Sequence, residues 1–330
     1  GEAITLHNIG RVYHAIGEPQ QALNYYNQAL PISREVGNRA GEAITLHNIG
    51  RVYHAIGELQ DALDCYNQAL QIRREVGDRA GVANTLNNIG LVYNDIGQPQ
   101  KALDYFNQAL QISQEVGNRP GVAATVNNIG LVYHAIGQQQ QAFKYFSQAL
   151  PISREVDNRT GEAMTLNNIG GVYHAMEKRQ QALDYFNQAL QISREVGNRT
   201  GEAMILNNIG GVYYAMRKRE QAFKYFNQAL QISREVDDRA GIANTLNNIG
   251  LVYHAMEKPQ QAITQLKQAV TITLEMRQAL QRENRQSFLR NERGSVIALT
   301  NLLIDQSKPE QAFEWINLYS TTELADYTRL

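Results

Sequence analysis

The first eighteen residues, GEAITLHNIGRVYHAIGE, return unchanged at Gly41–Glu58. Related copies open at Gly81, Gly121, Gly161, Gly201 and Gly241. Residues 1–280 thus divide into seven units of 40 residues without an insertion: 1–40, 41–80, 81–120, 121–160, 161–200, 201–240 and 241–280. A period of this length marks a stacked array, in which each unit is too small to bury its own apolar side and must cover it with a neighbour.

Each unit reads as two helices. Leu6, Ile9, Tyr13 and Ile16 recur at spacings of three and four, which is one apolar stripe at helical period. Gly17 and Pro19 mark a turn. Ala22, Leu23, Tyr26, Ala29, Leu30 and Val36 form the stripe of the second helix, and Gly37, Asn38 and Gly41 punctuate the passage to the next unit. Gly10 lies mid-helix, where Gly costs ~1 kcal/mol relative to Ala. Its return in every unit predicts a close helix approach there, with small Ala22 and Ala29 serving the same end. Pro31 and Pro151 fall inside second helices and predict a kink or restart. Glu35 and Arg39 recur four apart and read as exposed helix-terminal pairs.

After Leu280 the period breaks, leaving residues 281–330 as a helical extension that acts as cap or linker. Lys308–Phe313 (KPEQAF) echoes Lys258–Ile263 (KPQQAI), displaced by 50, so residues from about 295 to 318 read as a degenerate eighth helix pair. Its Phe313 and Trp315 are candidates to cover the open end. Residues 277–293 carry Arg277, Arg282, Arg285, Arg290 and Arg293 against Glu283 and Glu292. That segment is either a solvated continuation of the seventh unit or a basic docking segment.

The residues resemble the tetratricopeptide repeat, whose pattern is W-x2-L-G-x2-Y, then A-x3-F, then A, then P. This chain has Leu6-x2-Ile9-Gly10-x2-Tyr13, then Ala22-x3-Tyr26, then Ala29, with Leu6 in place of the tryptophan and no terminal proline. The LNNIG-x-VY motif in a 40-residue unit is most similar to the repeats of kinesin light chains and spindle-orientation scaffolds. The resemblance implies an all-α fold, a right-handed α-solenoid of stacked antiparallel helix pairs whose first helices line a concave groove for an extended peptide. Residues 283–330 are similar to the segment preceding bacterial caspase-like CHAT domains. The chain opens inside a repeat without Met and stops at Leu330, so we expect a piece of a longer protein.

In the first helix, positions 4, 8, 11 and 15 lie opposite the apolar stripe, flanked by 7 and 14. Asn occupies the eighth position of every unit: Asn8, Asn48, Asn88, Asn128, Asn168, Asn208 and Asn248. In units three to seven a second Asn precedes it: Asn87, Asn127, Asn167, Asn207 and Asn247. Asn is a mediocre helix former, and its amide both donates and accepts. Such a row can hold the backbone of an extended peptide, as the resembling families imply, or bond one unit to the next. Arg11 and Arg51 make the face cationic at the first two units, followed by Leu91, Leu131, Gly171, Gly211 and Leu251. We expect a partner segment acidic at that end, since guanidinium meets carboxylate with fork geometry. His14, His54, His134 and His174 complete the groove lining.

No metal site is expected. His7 and His14 are seven residues apart, about 10 Å along one helix, against the ~2 Å reach of a zinc ligand. Cys65 fills the place of Tyr25, Tyr105 and Tyr145 and reads as a packing residue, not a nucleophile. One cysteine also excludes a disulfide framework. The motifs of serine hydrolases, P-loop enzymes, zinc peptidases and dinucleotide enzymes are missing, so no catalysis and no cofactor are expected. Lys and Arg total 31 against 32 Asp and Glu, without the basic surplus that nucleic-acid or anionic-membrane binding needs. No stretch approaches the ~20 apolar residues of a membrane span, and a cytoplasmic protein is expected. The leading reading is a non-enzymatic scaffold that binds a protein or peptide partner. The alternatives are a scaffold that self-associates end to end, or the regulatory arm of a larger CHAT-type protein.

Overall fold

In the computed structural model every regular element is helical, and residues 1–278 and 285–327 are described. They fall into two compact units, Gly1–Val156 and Asp157–Leu330. The first unit holds α1 (Glu2–Ala15), α2 (Pro19–Glu35), α3 (Arg39–Ala55), α4 (Leu59–Glu75), α5 (Arg79–Asp95), α6 (Pro99–Glu115), α7 (Arg119–Ala135) and α8 (Gln139–Glu155). The second holds α9 (Arg159–Ala175), α10 (Arg179–Glu195), α11 (Arg199–Ala215), α12 (Arg219–Glu235), α13 (Arg239–Ala255), α14 (Pro259–Gln278), α15 (Arg285–Asp305) and α16 (Pro309–Tyr327). Within each unit the helices stack as consecutive hairpins, an α-solenoid arrangement in which α1, α3, α5 and α7, and likewise α9, α11 and α13, also touch in succession.

The helix ends follow from local chemistry. Asn38, Asp78 and Asn118 cap α3, α5 and α7, each side chain accepting from the N–H of the glycine three residues on, at 2.9, 2.8 and 3.1 Å. Asn158, Asn198 and Asp238 do the same for α9, α11 and α13. Gly17, Gly57, Gly97 and Gly137 leave the first helices with φ near +80°, where a side chain would strain the backbone. At the cognate places of the second unit stand Glu177, Arg217 and Glu257, with φ of 59°, 58° and 59°. Ile16 and Val36 sit at C-cap positions just beyond their helices and are exposed. The apolar stripes therefore end one turn earlier than their spacing predicts.

The core of the first six hairpins is an aromatic ring seated on a glycine, and in the seventh Leu266 takes the ring's place on Gly250. A Cβ on Gly50 would lie 2.8 Å from the Tyr66 ring, and one on Gly90 or Gly170 would lie 2.7 Å from Phe106 or Phe186. These rings are fully buried, together with Ala22, Ala62, Ala102 and their later copies. A second layer stacks Tyr13 on Tyr25, Tyr93 on Tyr105 and Tyr133 on Tyr145 at 5.2–5.3 Å between ring centres. Cys65 packs where the Tyr53 partner would stand, half-buried, and burial with nearby Asp61 and Asp64 pushes its thiol up to about 11.

Several expectations need correcting. Arg39 pairs with Glu75 and Glu42 rather than with Glu35, because the antiparallel turn brings the start of α3 beside the end of α4. The same closure joins Arg79 to Glu115, Arg119 to Glu155, Arg159 to Glu195, Arg199 to Glu235 and Arg239 to Glu275. Half-exposed pairs of this kind contribute about 0–1 kcal/mol each. α2 and α8 run through Pro31 and Pro151 without a restart. Both prolines, and the Asn27 and Ser147 carbonyls that lose an N–H partner, lie on the exposed side, where water serves instead. α15 and α16 pair, and both are longer than the expected 295–318. Trp315 packs against their core, whereas Phe313 is 63% exposed and covers nothing. The side chains of the basic segment 277–293 lie outside the described residues.

A non-glycine residue in the left-handed region costs roughly 1–2 kcal/mol. Glu177→Gly, Arg217→Gly and Glu257→Gly should therefore each raise the urea midpoint, with a gain in unfolding free energy of up to about 1 kcal/mol after the larger unfolded-state freedom of glycine is counted. Midpoints that stay level or fall would contradict the strain.

Candidate functional site

Positions 7 and 8 of the first helices form a polar ladder between repeats. In the first unit His7 Nε2 accepts from Asn48 Nδ2 at 3.1 Å, and His7 Nδ1 meets Thr45 Oγ1 at 3.1 Å. His47 repeats the pattern with Asn88 at 3.1 Å and Thr85 at 3.3 Å. Asn87 Oδ1 then accepts from Asn128 Nδ2 at 3.0 Å and from Thr125 Oγ1 at 3.2 Å. In the second unit Asn167 Oδ1 accepts from Asn208 at 2.9 Å, and Asn207 Oδ1 from Asn248 at 3.1 Å and Thr245 at 3.3 Å. Of the two readings of the Asn row, bonding between repeats is thus present. Asn127 and Asn167 are 8% and 6% exposed, so they brace the face from inside rather than lining it. Asn48, Asn88, Asn128, Asn168, Asn208 and Asn248 are half-buried and Asn8 is exposed. The ladder bonds use one N–H of each donor amide, and a primary amide has two.

His47 is neutral, with its pKa lowered to about 3 by burial and then by the Arg73 and Arg51 charges. A neutral imidazole donates from one nitrogen and accepts at the other. Since Asn88 donates to Nε2, the proton belongs on Nδ1, directed at Thr85 Oγ1, which itself donates to the Gly81 carbonyl. The His7 pKa is also lowered, by burial and then by Arg11.

The structure brings His14, Arg51, His54, Tyr66, Asn88 and Leu91 together around a depression of about 290 Å3. Arg11 and Arg51 are exposed, and neither has a carboxylate partner among the described residues. Burial and then the Arg51 charge lower the His14 pKa. His54 Nε2 holds Asp95 Oδ2 at 2.7 Å, so a carboxylate stands at this cationic end. His134 Nδ1 contacts Gln139 Oε1 at 2.6 Å, across the turn between α7 and α8. Burial and then Arg179 lower the His174 pKa. No cluster of three metal-ligating side chains occurs among the described residues. No described helix is long and apolar enough to cross a membrane.

In the second unit Asn207, Asn208, Asn244 and Asn247 line a separate cleft of about 510 Å3, with Met204, Met276 and Ser295 on its walls. Sequence reasoning missed this cleft, and it missed the threonines at position 5. A polar residue at position 7 of every unit, His or Asn, with Thr at position 5 in most, was the available signal.

The Tetratricopeptide repeat family profile matches residues 1–75, 81–155, 122–195, 161–235 and 201–275. The chain belongs to the tetratricopeptide repeat family. The match ends at residue 275 and lends no support to the CHAT kinship expected beyond Glu283. Among solved structures, the Rap conjugation gene regulator of the plasmid pLS20, in complex with the Phr* peptide, is similar over 84% of this chain and 75% of its own, with a TM-score of 0.68 and 17% identity. Apo RapI is similar over 84% of this chain and 98% of its own, with a TM-score of 0.67 and 18% identity. BtubC (BKLC) from P. vanneervenii is similar over 66% of this chain and 92% of its own, with a TM-score of 0.56 and 21% identity. At these identities the likeness is one of fold. No curated protein matches the sequence.

Two outcomes follow from this tetratricopeptide ladder. Asn128→Ala should cost about 1 kcal/mol, since Asn87 Oδ1 keeps only its Thr125 donor; an unchanged midpoint would show the bond idle. Because folding lowers the His47 pKa, the unfolded state binds the extra proton between about pH 3 and 6.5, and stability falls as pH drops through that window. From pH 7 to pH 5 the loss reaches at most roughly 2 kcal/mol. His47→Asn, the residue found at position 87, should flatten the acid limb of a melting-versus-pH curve, and an unaltered limb would place the sensitivity elsewhere.

Proposed function

We propose that this tetratricopeptide array is a non-enzymatic scaffold whose first-helix face binds an extended segment of a protein partner. The segment is acidic where it meets the first two repeats and apolar further along. The observation that carries the reading is the contrast among arginines. Arg39, Arg79, Arg119, Arg159, Arg199 and Arg239 are each held by a glutamate at a hairpin end. Arg51, beside His14 and Asn88, and Arg11, one repeat earlier at the same position, have no such partner among the described residues. Arg51 is bordered by Leu91 and the Tyr66 ring, apolar walls that strengthen a guanidinium–carboxylate contact by excluding water. The half-buried Asn48 and Asn128 lie along the same face and retain donors for a peptide backbone. The Phr* complex of the pLS20 regulator supports the reading, as a protein of similar fold that holds a peptide.

The test is a titration, followed by fluorescence anisotropy, of labelled acidic peptides and their charge-reversed counterparts at low and physiological salt. Acidic peptides should bind at least tenfold better, weaken with salt, and lose the advantage in the Arg11→Ala/Arg51→Ala double variant. Equal affinity for both charges, or an indifferent double variant, would overturn the proposal.

A further inference from the structure

The ladder ends at an acceptor that nothing fills. Asn247 occupies the same position as Asn87, Asn167 and Asn207, whose Oδ1 atoms each accept an amide N–H from the next repeat. Asn247 Oδ1 is buried and has no hydrogen-bond partner among the described residues. The reason is legible in the register. The 50-residue offset that aligns Lys308-Pro309 with Lys258-Pro259 sets Ala298 where Asn248 stands one repeat earlier. Ala298 is half-buried against the α14–α16 core and has no side-chain donor. A buried carbonyl oxygen left without a donor costs ~1–3 kcal/mol, so it is a strong attractor for a group that can supply one.

Asn247 lies at the wall of the 510 Å3 cleft, between α11, α13 and α15. The floor near it is opened by Gly294, at which a Cβ would meet nothing within 4 Å. Asp238 is the one charged residue among the described residues that line the cleft. Met204 and Met276 supply apolar walls that adapt to an entering side chain. Asn244 Oδ1 is already taken by Asn248 at 3.3 Å, which leaves its own amide hydrogens as donors toward the cleft.

We propose that this cleft takes the carboxamide side chain of an Asn or Gln in the bound peptide, which completes the ladder in place of the missing eighth-repeat Asn. The amide N–H donates to Asn247 Oδ1, and the amide oxygen accepts from Asn244 or Asn208. A carboxylate offers no donor to Asn247. An ammonium can donate to Asn247 but has no acceptor to offer the Asn244 or Asn208 amide, so it makes only one of the two bonds. The inference rests on the first-helix face being a peptide-binding face, and it assigns a specificity position within the second unit.

The experiment uses octapeptide pools, degenerate except for one fixed central residue, captured on the immobilised full chain. The fixed residues are Asn, Gln, Leu, Asp and Lys. Asn and Gln pools should be retained about fivefold over the Leu, Asp and Lys pools, the factor that one net hydrogen bond of ~1 kcal/mol gives. Ala298→Asn, which supplies the internal donor, and Asn247→Leu, which removes the acceptor, should each erase that preference. The Ala298→Asn variant should also melt higher than the parent, and Asn247→Leu serves if Ala298→Asn fails to fold. Retention without amide preference, or a preference that survives the two variants, overturns the inference while leaving the peptide-binding face intact. Retention of no pool at all overturns both.

Discussion

A ring resting on a glycine sets the spacing of six of the repeat hairpins, and Leu266 on Gly250 does so in the seventh. The Tyr66 and Phe106 rings fill the space that a methyl group on Gly50 and Gly90 would claim, so the two helices approach as closely as a bare backbone allows. Small Ala62 and Ala102 complete the same contact, both fully buried. The mid-helix glycine lowers helix propensity, yet close packing at interior density returns more than the propensity it costs. With the hairpin spacing set this way, the first helices of successive repeats come within reach of each other's polar side chains. Everything on the candidate face depends on that proximity.

The polar ladder gives the repeats a register that apolar packing alone does not impose. Leu and Ile can slide past one another at little cost, but an amide oxygen buried between helices is satisfied only when Thr and Asn of the next repeat arrive at the right height. His7 and His47 meet the same requirement with ring nitrogens where later repeats use Asn. The face is therefore braced from beneath by side chains that also border it. A substitution in the row acts on stability, so only residues outside the ladder, such as Arg11 and Arg51, test the proposed recognition separately.

Much of this was readable from the chain itself. A 40-residue period with Leu6, Ile9 and Tyr13 at helical spacing leaves few folds open, and Gly10 pointed at a close approach before any ring was seen to fill it. Helix ends were harder. Ile16 and Val36 continue the apolar rhythm but belong to the turns, because rhythm does not register where the backbone leaves the helix. Arg39 found Glu75 rather than Glu35, a contact made by antiparallel folding across one whole repeat that no local spacing displays. The Asn row was seen, but a list of amides does not tell which neighbour each one faces. The unfilled Asn247 was hidden for a related reason: an orphan is defined by what is missing across an interface, here the donor that Ala298 lacks.

Cys65 stands where a tyrosine stacks in most other repeats, with a thiol that burial holds protonated at neutral pH. Reagents that attack thiolates reach it only when the second repeat loosens from its neighbours. As the chain has one cysteine, its rate of modification reads the opening of a single repeat within the array, against a background with no other sulfhydryl. The protein carries its own clock for local breathing.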